Sequence, residues 1–459
     1  MDSHASRSRA RRRVESAAGK PRLRRTASVL VVAGGVYVVA GFLTHELDVR
    51  LSEPASEPST PLGPGPRTLL TGVFSVHSGR SHDAFGSFEA IAAAARDTDL
   101  DFVYVGDHPP DDRSPALPEV ATAFRDGVLV IPGQELVAND IGRVLAMGLD
   151  TTFRGWQDGE ASFVRLIEDR RAVAFVVHGR SNRGRERWKS ASVAGLAGWE
   201  VFDMSETARR RLREPWMLYH VGTLVAGIPI GLGDLSLLHL TRDGFDIPSV
   251  TAFDSLRMQG PLTATAGLNH HPKMELGGRL ILPYAPFFRT FLNHVELDAP
   301  LPEDAREAEA VLGRAVREGR VFISLGGKDP ARGFRLSALD EGRTVAGIGD
   351  RAPLRAGTVL RAGWREGARG RIAFRILRDG VELAFLRGGE LEWEVPGPGI
   401  YRVEVYRYTA RFGSLFVGLR PWIFTNPIEL GGPEAVPAGV PGERTASTGG
   451  GGSARPTGS

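Results

Sequence analysis

Cysteine is absent from all 459 residues. That excludes disulfides, thiolate metal ligands and a cysteine nucleophile, so stability must come from an apolar core, which a chain this long can bury. There is no P-loop, no G-x-S-x-G and no dinucleotide fingerprint, which removes the common nucleotide-binding and serine-hydrolase signatures. Net charge is nearly missing too: 57 Lys and Arg against 54 Asp and Glu leave +3. The basic residues are concentrated in one place. Arg7, Arg9, Arg11, Arg12, Arg13, Lys20, Arg22, Arg24 and Arg25 crowd the first 25 positions. This is a tail property, and no nucleic-acid partner is expected of the folded part.

Residues 26–44, "TASVLVVAGGVYVVAGFLT", lack any charge. As a helix they reach about 28 Å, against a hydrocarbon core of ~30 Å. Arginines before the run and none directly after it predict a cytoplasmic N-terminus. The expectation is a single-pass protein of the cell inner membrane, with the bulk of the chain on the extracytoplasmic side. A cleaved signal peptide is the competing reading; the poor cleavage site at Val38-Val39-Ala40 favours an uncleaved anchor.

The rest divides by composition. Residues 1–25 form a basic cytoplasmic tail, 26–44 the anchor, and 45–67 a linker rich in Pro, Ser and Gly. Over 68–332, short β-branched runs alternate with helical patterns. The strand candidates are "LLTGVFSVH", "DFVYVGD", "GVLVIPG", "VLAMGL", "AVAFVVHG", "GWEVFD" and "GIPIGLGD"; the helix candidates include "SFEAIAAAARDT", capped by Ser87, and "ASFVRLIEDRR". Such alternation argues for an α/β fold of parallel βαβ units, with a count that suits a barrel. His77, Asp107, His108, Glu135, His178 and Asp234 all fall at the C-terminal ends of these strands, where a β/α barrel builds its site. After the amphipathic segment "DAREAEAVLGRAVREG", residues 333–430 read as a small antiparallel β-sandwich with an Asp-Gly turn at 379–380. Residues 431–459 are disordered by composition.

The order of residues at successive strand ends resembles the polymerase and histidinol phosphatase (PHP) superfamily. That resemblance implies a distorted (β/α)7 barrel that hydrolyses phosphate esters with a cluster of divalent metals. It covers 68–234 and continues more weakly through "EGRVFISLGG". The segment "PWIFTNPI" at 421–428 is similar to the end of a β domain that follows the barrel in one branch of the family. By the resemblance, His77 stands for the second histidine of an opening H-x-H, whose first position is Ser75. Asp107-His108 stands for a D-H pair, Glu135 for an acid bridging two metals, His178 for a later histidine, and Asp234 for the aspartate of a closing D-x-H. Three ligand positions depart from the pattern, at Ser75, Arg143 and Ser236.

The resemblance therefore implies fewer ions than the full cluster. The expected metal ligands are His77, Asp83, His108, Glu135, His178 and Asp234, holding Zn, Mn or Fe. His82 or Asp83, on the loop after His77, fills in for a family ligand, and Asp83 is the one counted among the expected ligands. His178 and His108 are expected to move protons. Arg143 cannot deprotonate and would repel a cation, so with Arg180 it is expected to clamp an anionic substrate. His270-His271 does not read as a metal pair, since adjacent strand residues diverge. Trp156, Trp188, Trp199 and Trp216 read as packing residues. Two functions stay open: a membrane-anchored, metal-dependent phosphoesterase-like hydrolase acting on phosphorylated or other anionic small molecules or envelope material, or a non-catalytic descendant that binds an anionic ligand or envelope partner.

Overall fold

The computed structural model describes residues 28–56, 67–108, 120–138, 141–149, 172–184, 186–227, 245, 247–325, 331–364 and 370–431. Seven strands close into a barrel: β1 (Thr68–Val76), β2 (Phe102–Asp107), β3 (Val128–Ala138), β4 (Gly142–Met147), β5 (Val173–Val177), β6 (Gly198–Asp203) and β7 (Thr263–His270), which pairs back onto β1. Phe74, Phe102, Tyr104, Ile131, Leu145 and Phe175 share one buried cluster. Val73, Val103, Val130, Val144, Val176 and Val201, which alternate with them, belong to another.

Two expectations fail here for physical reasons. The barrel is not a uniform β/α repeat, because β4 runs antiparallel to both neighbours. Only three residues separate β3 from β4, enough for a hairpin and too few for a crossover. The closing strand is also not "GIPIGLGD". A helix, Met217–Gly227, precedes that stretch, and residues 228–244 lie outside the described residues, as do Asp234, Ser236 and the helix candidate at 161–171. The barrel closes instead with β7, "TATAGLNH", whose small and polar residues give no hydropathy signal although all eight are buried.

Strand β1 serves two sheets. Its second half pairs with β7, while Thr68–Gly72 pairs with β8 (Phe291–Leu297). Where β7 and β8 diverge, two buried asparagines bridge the gap as imitation backbone. Asn293 accepts from the Ala266 N–H at 2.9 Å and donates to the Ala266 carbonyl at 2.8 Å. Asn426, from the "NPI" segment, accepts from Ala264 N–H at 2.7 Å and donates to the carbonyls of Ala264 and Val321, both at 2.9 Å. The buried N–H and carbonyl groups of Ala264 and Ala266 are thereby paired, as buried amides require.

Beyond the seam, the sheet runs from β9 (Val321–Leu325) through Arg420–Thr425 and Gly399–Arg407 to the hairpin Ile372–Arg378/Val381–Arg387. That hairpin turns at Asp379 and Gly380, both with positive φ (54° and 79°), as its Asp-Gly signal predicts. A separate four-stranded antiparallel sheet spans 334–394, and Phe334, Trp364, Phe374, Val403 and Trp422 share one apolar cluster across the two sheets. At the barrel's foot, the helix Ala305–Arg317, capped by Asp304 as its sequence suggests, buries Ala308, Leu312, Ala315 and Val316.

One N-terminal helix, α1 (Ser28–Glu46), is long and apolar enough to cross a membrane or to act as a signal sequence, and 6% of its most apolar window is buried. The segment expected to be a free linker is partly docked: Leu47–Val49 pairs with Leu415–Val417, and Glu53–Pro54 with Leu386–Arg387.

Candidate metal centre and arginine clamp

The C-terminal ends of the barrel strands surround a cavity of about 620 Å³ lined by His82, Asp83, His108, Arg143, His178 and Asn269, among others. Three strand ends carry non-glycine residues with left-handed backbone: Ser75 (φ 59°), His178 (φ 55°) and Asn269 (φ 46°). Such conformations cost energy and cluster where a site over-determines the chain. At Ser75 the turn coincides with a register shift against β2, which re-aims the residues that follow.

The cavity has two halves. In the first, His77, Asp83, His108 and His271 each offer one ligand atom within 4.8 Å of the others. His77 stacks on His271 with centroids 3.7 Å apart. Its ring is fully buried, with Nδ1 beside Ser81 Oγ at 3.4 Å and Nε2 3.3 Å from Glu135 Oε2. His271 Nδ1 faces the carbonyl of Asn269 at 3.0 Å. A carbonyl only accepts, so Nδ1 carries the proton and Nε2 keeps the lone pair, 3.4 Å from Asp83 Oδ2. Burial and His77 push the His271 imidazole down to about 3, and burial likewise lowers His108. Both rings are neutral at physiological pH and have lone pairs to give. Burial opposes ionisation of Asp83, but the Lys273 ammonium, 3.1 Å from its Oδ2, holds it ionised.

Four buried atoms in this region, His77 Nε2, Asp83 Oδ1, Glu135 Oε2 and His271 Nε2, have no hydrogen-bond partner. Converging buried acceptors without donors are costly. Imidazole and carboxylate donors suit a borderline divalent cation, so the residues present fit one.

The second half is satisfied by ion pairs. Arg143 donates to Glu135 and lies 3.4 Å from Glu186. Burial opposes the Glu135 charge, yet His178 and His77 hold its carboxyl well below the usual range. His178 Nδ1 meets Asp203 Oδ2 at 2.5 Å. Burial would lower this imidazole, but Asp203 and Glu135 raise it well above its ordinary value, so it is an imidazolium. Its Nε2 stands 3.6 Å from Glu135 Oε1 and 3.0 Å from the Asn269 amide nitrogen. Asp203 also caps the helix α2 (Met204–Arg211) through Glu206 N–H at 3.0 Å.

Set against expectation, His77, Asp83 and His108 come together as proposed, and Glu135 touches that group. His178 does not join it, since Asp203 claims its ring. Arg143 is in the cavity, but Arg180 is not: the turn closed by Ser181 N–H on the His178 carbonyl sends it to a separate pocket with Glu206 and Arg210. Arg183, Arg209 and Lys273 line the cavity instead. Asp107 binds the Ser78 N–H and hydroxyl at 2.7 and 2.6 Å and holds the loop.

Sequence reasoning missed His271 and Asp203. Adjacent histidines do diverge: His270 stacks on Phe287 and faces the Leu282 carbonyl, while His271 faces the cavity. The available signal was the pair Asn269-x-His271, two residues apart at a strand end. For Asp203 it was an aspartate at a strand end, three residues before Glu206, which is a helix-start pattern. A further buried acid, Glu200, is 3% exposed with neither oxygen hydrogen-bonded. Burial and Asp203 raise it well above the usual carboxylate range, so it is a neutral acid.

No family model and no curated protein matches the chain. Solved structures do. A two-domain protein from Bacteroides vulgatus containing a predicted PHP-like metal-dependent phosphoesterase is 12% identical, over 83% of this chain and 100% of that one, with a TM-score of 0.38. PsfC from Pseudomonas syringae is 13% identical over 57% of this chain and 94% of its own, at 0.32. An endonuclease Q bound to duplex substrate with an abasic lesion is 13% identical over 53% and 57%, at 0.26. All three likenesses are at low identity and low structural overlap. The chain's own closed seven-stranded barrel and mouth residues decide what it can do.

Proposed function

We propose that the protein is a PHP-like, metal-dependent phosphoesterase with a reduced metal site, in which one divalent cation sits among His77, Asp83, His108 and His271 and Arg143 supplies positive charge beside Glu135. The observation that carries this reading is that His77, Asp83, His108 and His271 each bring one ligand atom within 4.8 Å of the others, with His77 Nε2, Asp83 Oδ1 and His271 Nε2 buried and without a hydrogen-bond partner. A bound cation would polarise a phosphoryl oxygen and lower the pKa of water. Arg143, Arg183, Arg209 and Lys273 surround the cavity and attract the phosphate. The His178 imidazolium, oriented by Asp203, gives its Nε2 proton to the departing oxygen. Zn, Mn and Fe all suit the donor set.

In this reading α1 anchors the chain in the inner membrane and the barrel works outside the cytoplasm on an anionic small molecule or envelope component. The barrel takes 68–332 and a β-sandwich domain 333–430. A non-catalytic, anion-binding descendant is the second reading; the pairing of Arg143 with Glu135 favours it, because that carboxylate is already neutralised. Metal analysis of the full chain in detergent, with hydrolysis of bis(p-nitrophenyl) phosphate in Mn²⁺ or Zn²⁺, separates the two. Turnover and one bound ion, both lost in His271→Ala, support the hydrolase; no turnover, with the same metal content in the parent and His271→Ala, leaves the second.

A further inference from the structure

A second set of donors lies far from the cavity, where α1 meets the barrel. His45, in the last turn of α1, Glu214 and His220 each present one ligand atom within 4.8 Å of the others. We propose that these three side chains form a second divalent-cation site that ties the apolar helix to the barrel. Two imidazoles and one carboxylate are the protein ligands of a three-ligand zinc site with a position left open. His220 is 2% exposed, and its ring lies 4.7 Å from that of His45, edge to face. His220 Nε2 stands 3.7 Å from Glu214 Oε2, beyond hydrogen-bond reach yet close to the separation of two ligands on one ion.

The surroundings are those of a supported site. Arg211, 5% exposed, donates to Glu214 Oε2 at 2.9 Å, as ligating carboxylates are commonly oriented by a second hydrogen bond. Trp216 meets the His45 ring edge-on at 5.9 Å and Tyr219 stacks on it at 5.8 Å. Tyr37, two turns earlier in α1, donates to the Pro215 carbonyl at 2.7 Å. The three ligands therefore come from two segments already in register, and an ion would cross-link them. The mechanical consequence follows from chain order. Glu214 lies just past α2, whose first residues Met204 and Ser205 line the cavity. An ion at the junction fixes the far end of the helix whose near end shapes the proposed active site.

The test uses the full chain in detergent micelles, stripped with chelator and reloaded with Zn²⁺ alone, in a His271→Ala background that removes the cavity site. The expected result is about one bound ion per chain, lost in His45→Ala and in Glu214→Gln. Co²⁺ should quench Trp216 fluorescence in the parent and not in the His45→Ala variant, with Trp216→Phe identifying the signal. His45 is half-exposed on a helix, so its replacement leaves the fold intact, and unchanged circular dichroism checks this. Equal zinc content in the parent, His45→Ala and Glu214→Gln proteins would overturn the proposal.

Discussion

The seam between β7 and β8 and the mouth of the barrel are built from the same material, buried polar side chains on strand ends, and they treat it oppositely. At the seam, Asn293 and Asn426 pair the backbone groups of Ala264, Ala266 and Val321. In the imidazole half of the mouth, His77 Nε2, Asp83 Oδ1 and His271 Nε2 are buried without a hydrogen-bond partner. A folding chain that can close a gap this completely at one end of a strand leaves the other end open for a ligand. The seam is for stability and the mouth for binding.

The sharpest way to break this contrast is to exchange its consequences. Asn426→Ala strands the buried N–H and carbonyl of Ala264, while the Val321 carbonyl keeps the Asn426 backbone N–H; it should cost about 2 kcal/mol or more in denaturant unfolding, at roughly 1–3 kcal/mol per unsatisfied group, while leaving metal content unchanged. His77→Ala should do the reverse, lowering metal affinity at least roughly tenfold while the unfolding midpoint moves little. If both variants lose stability equally and neither loses metal, the contrast is false.

Gly267 separates packing from charge beneath the mouth. A Cβ there would lie 2.6 Å from Glu200 Oε1, so Gly267→Ala should destabilise by about 1–3 kcal/mol, measured by thermal unfolding. Glu200 itself gives a pH signature. Its folded pKa is raised, so its contribution is complete below the unfolded value of about 4.3 and is lost as pH rises through the folded pKa. Glu200→Gln should match the parent at low pH and become progressively more stable relative to it as pH rises. A constant difference would show that Glu200 is ionised in the fold. The smallest expected effect is Arg143→His, which exchanges the guanidinium for a ligand at the position where the resemblance places a histidine. It should raise metal content above the parent's; unchanged content would mean that Glu135 is unavailable for another reason.

Much of the frame was legible because local chemistry and fold agreed. Ser87 caps its helix, Asp304 caps Ala305–Arg317, and Asp379-Gly380 turns its hairpin. What escaped was decided by partners distant in sequence. Strand β7 is buried on small residues that carry no periodic signal, so the closing strand was sought 36 residues too early, at 227–234 in place of 263–270. Of the candidate site, His77, His108 and Glu135 could be read from strand ends and Asp83 from the loop after His77. The division of labour could not, since it depends on Asp203 reaching His178 and on His271 folding over His77. Glycine after His178 was also unreadable: the Trp199 indole lies 2.4 Å from where a Cβ at Gly179 would stand, which leaves no room for a larger residue.

The most direct test is the divalent-metal content of the full chain set beside that of His271→Ala, both loaded with Zn²⁺ under the same conditions. The account predicts that the variant binds about one ion fewer per chain while its secondary structure is unchanged. Identical metal content in the two proteins would contradict it.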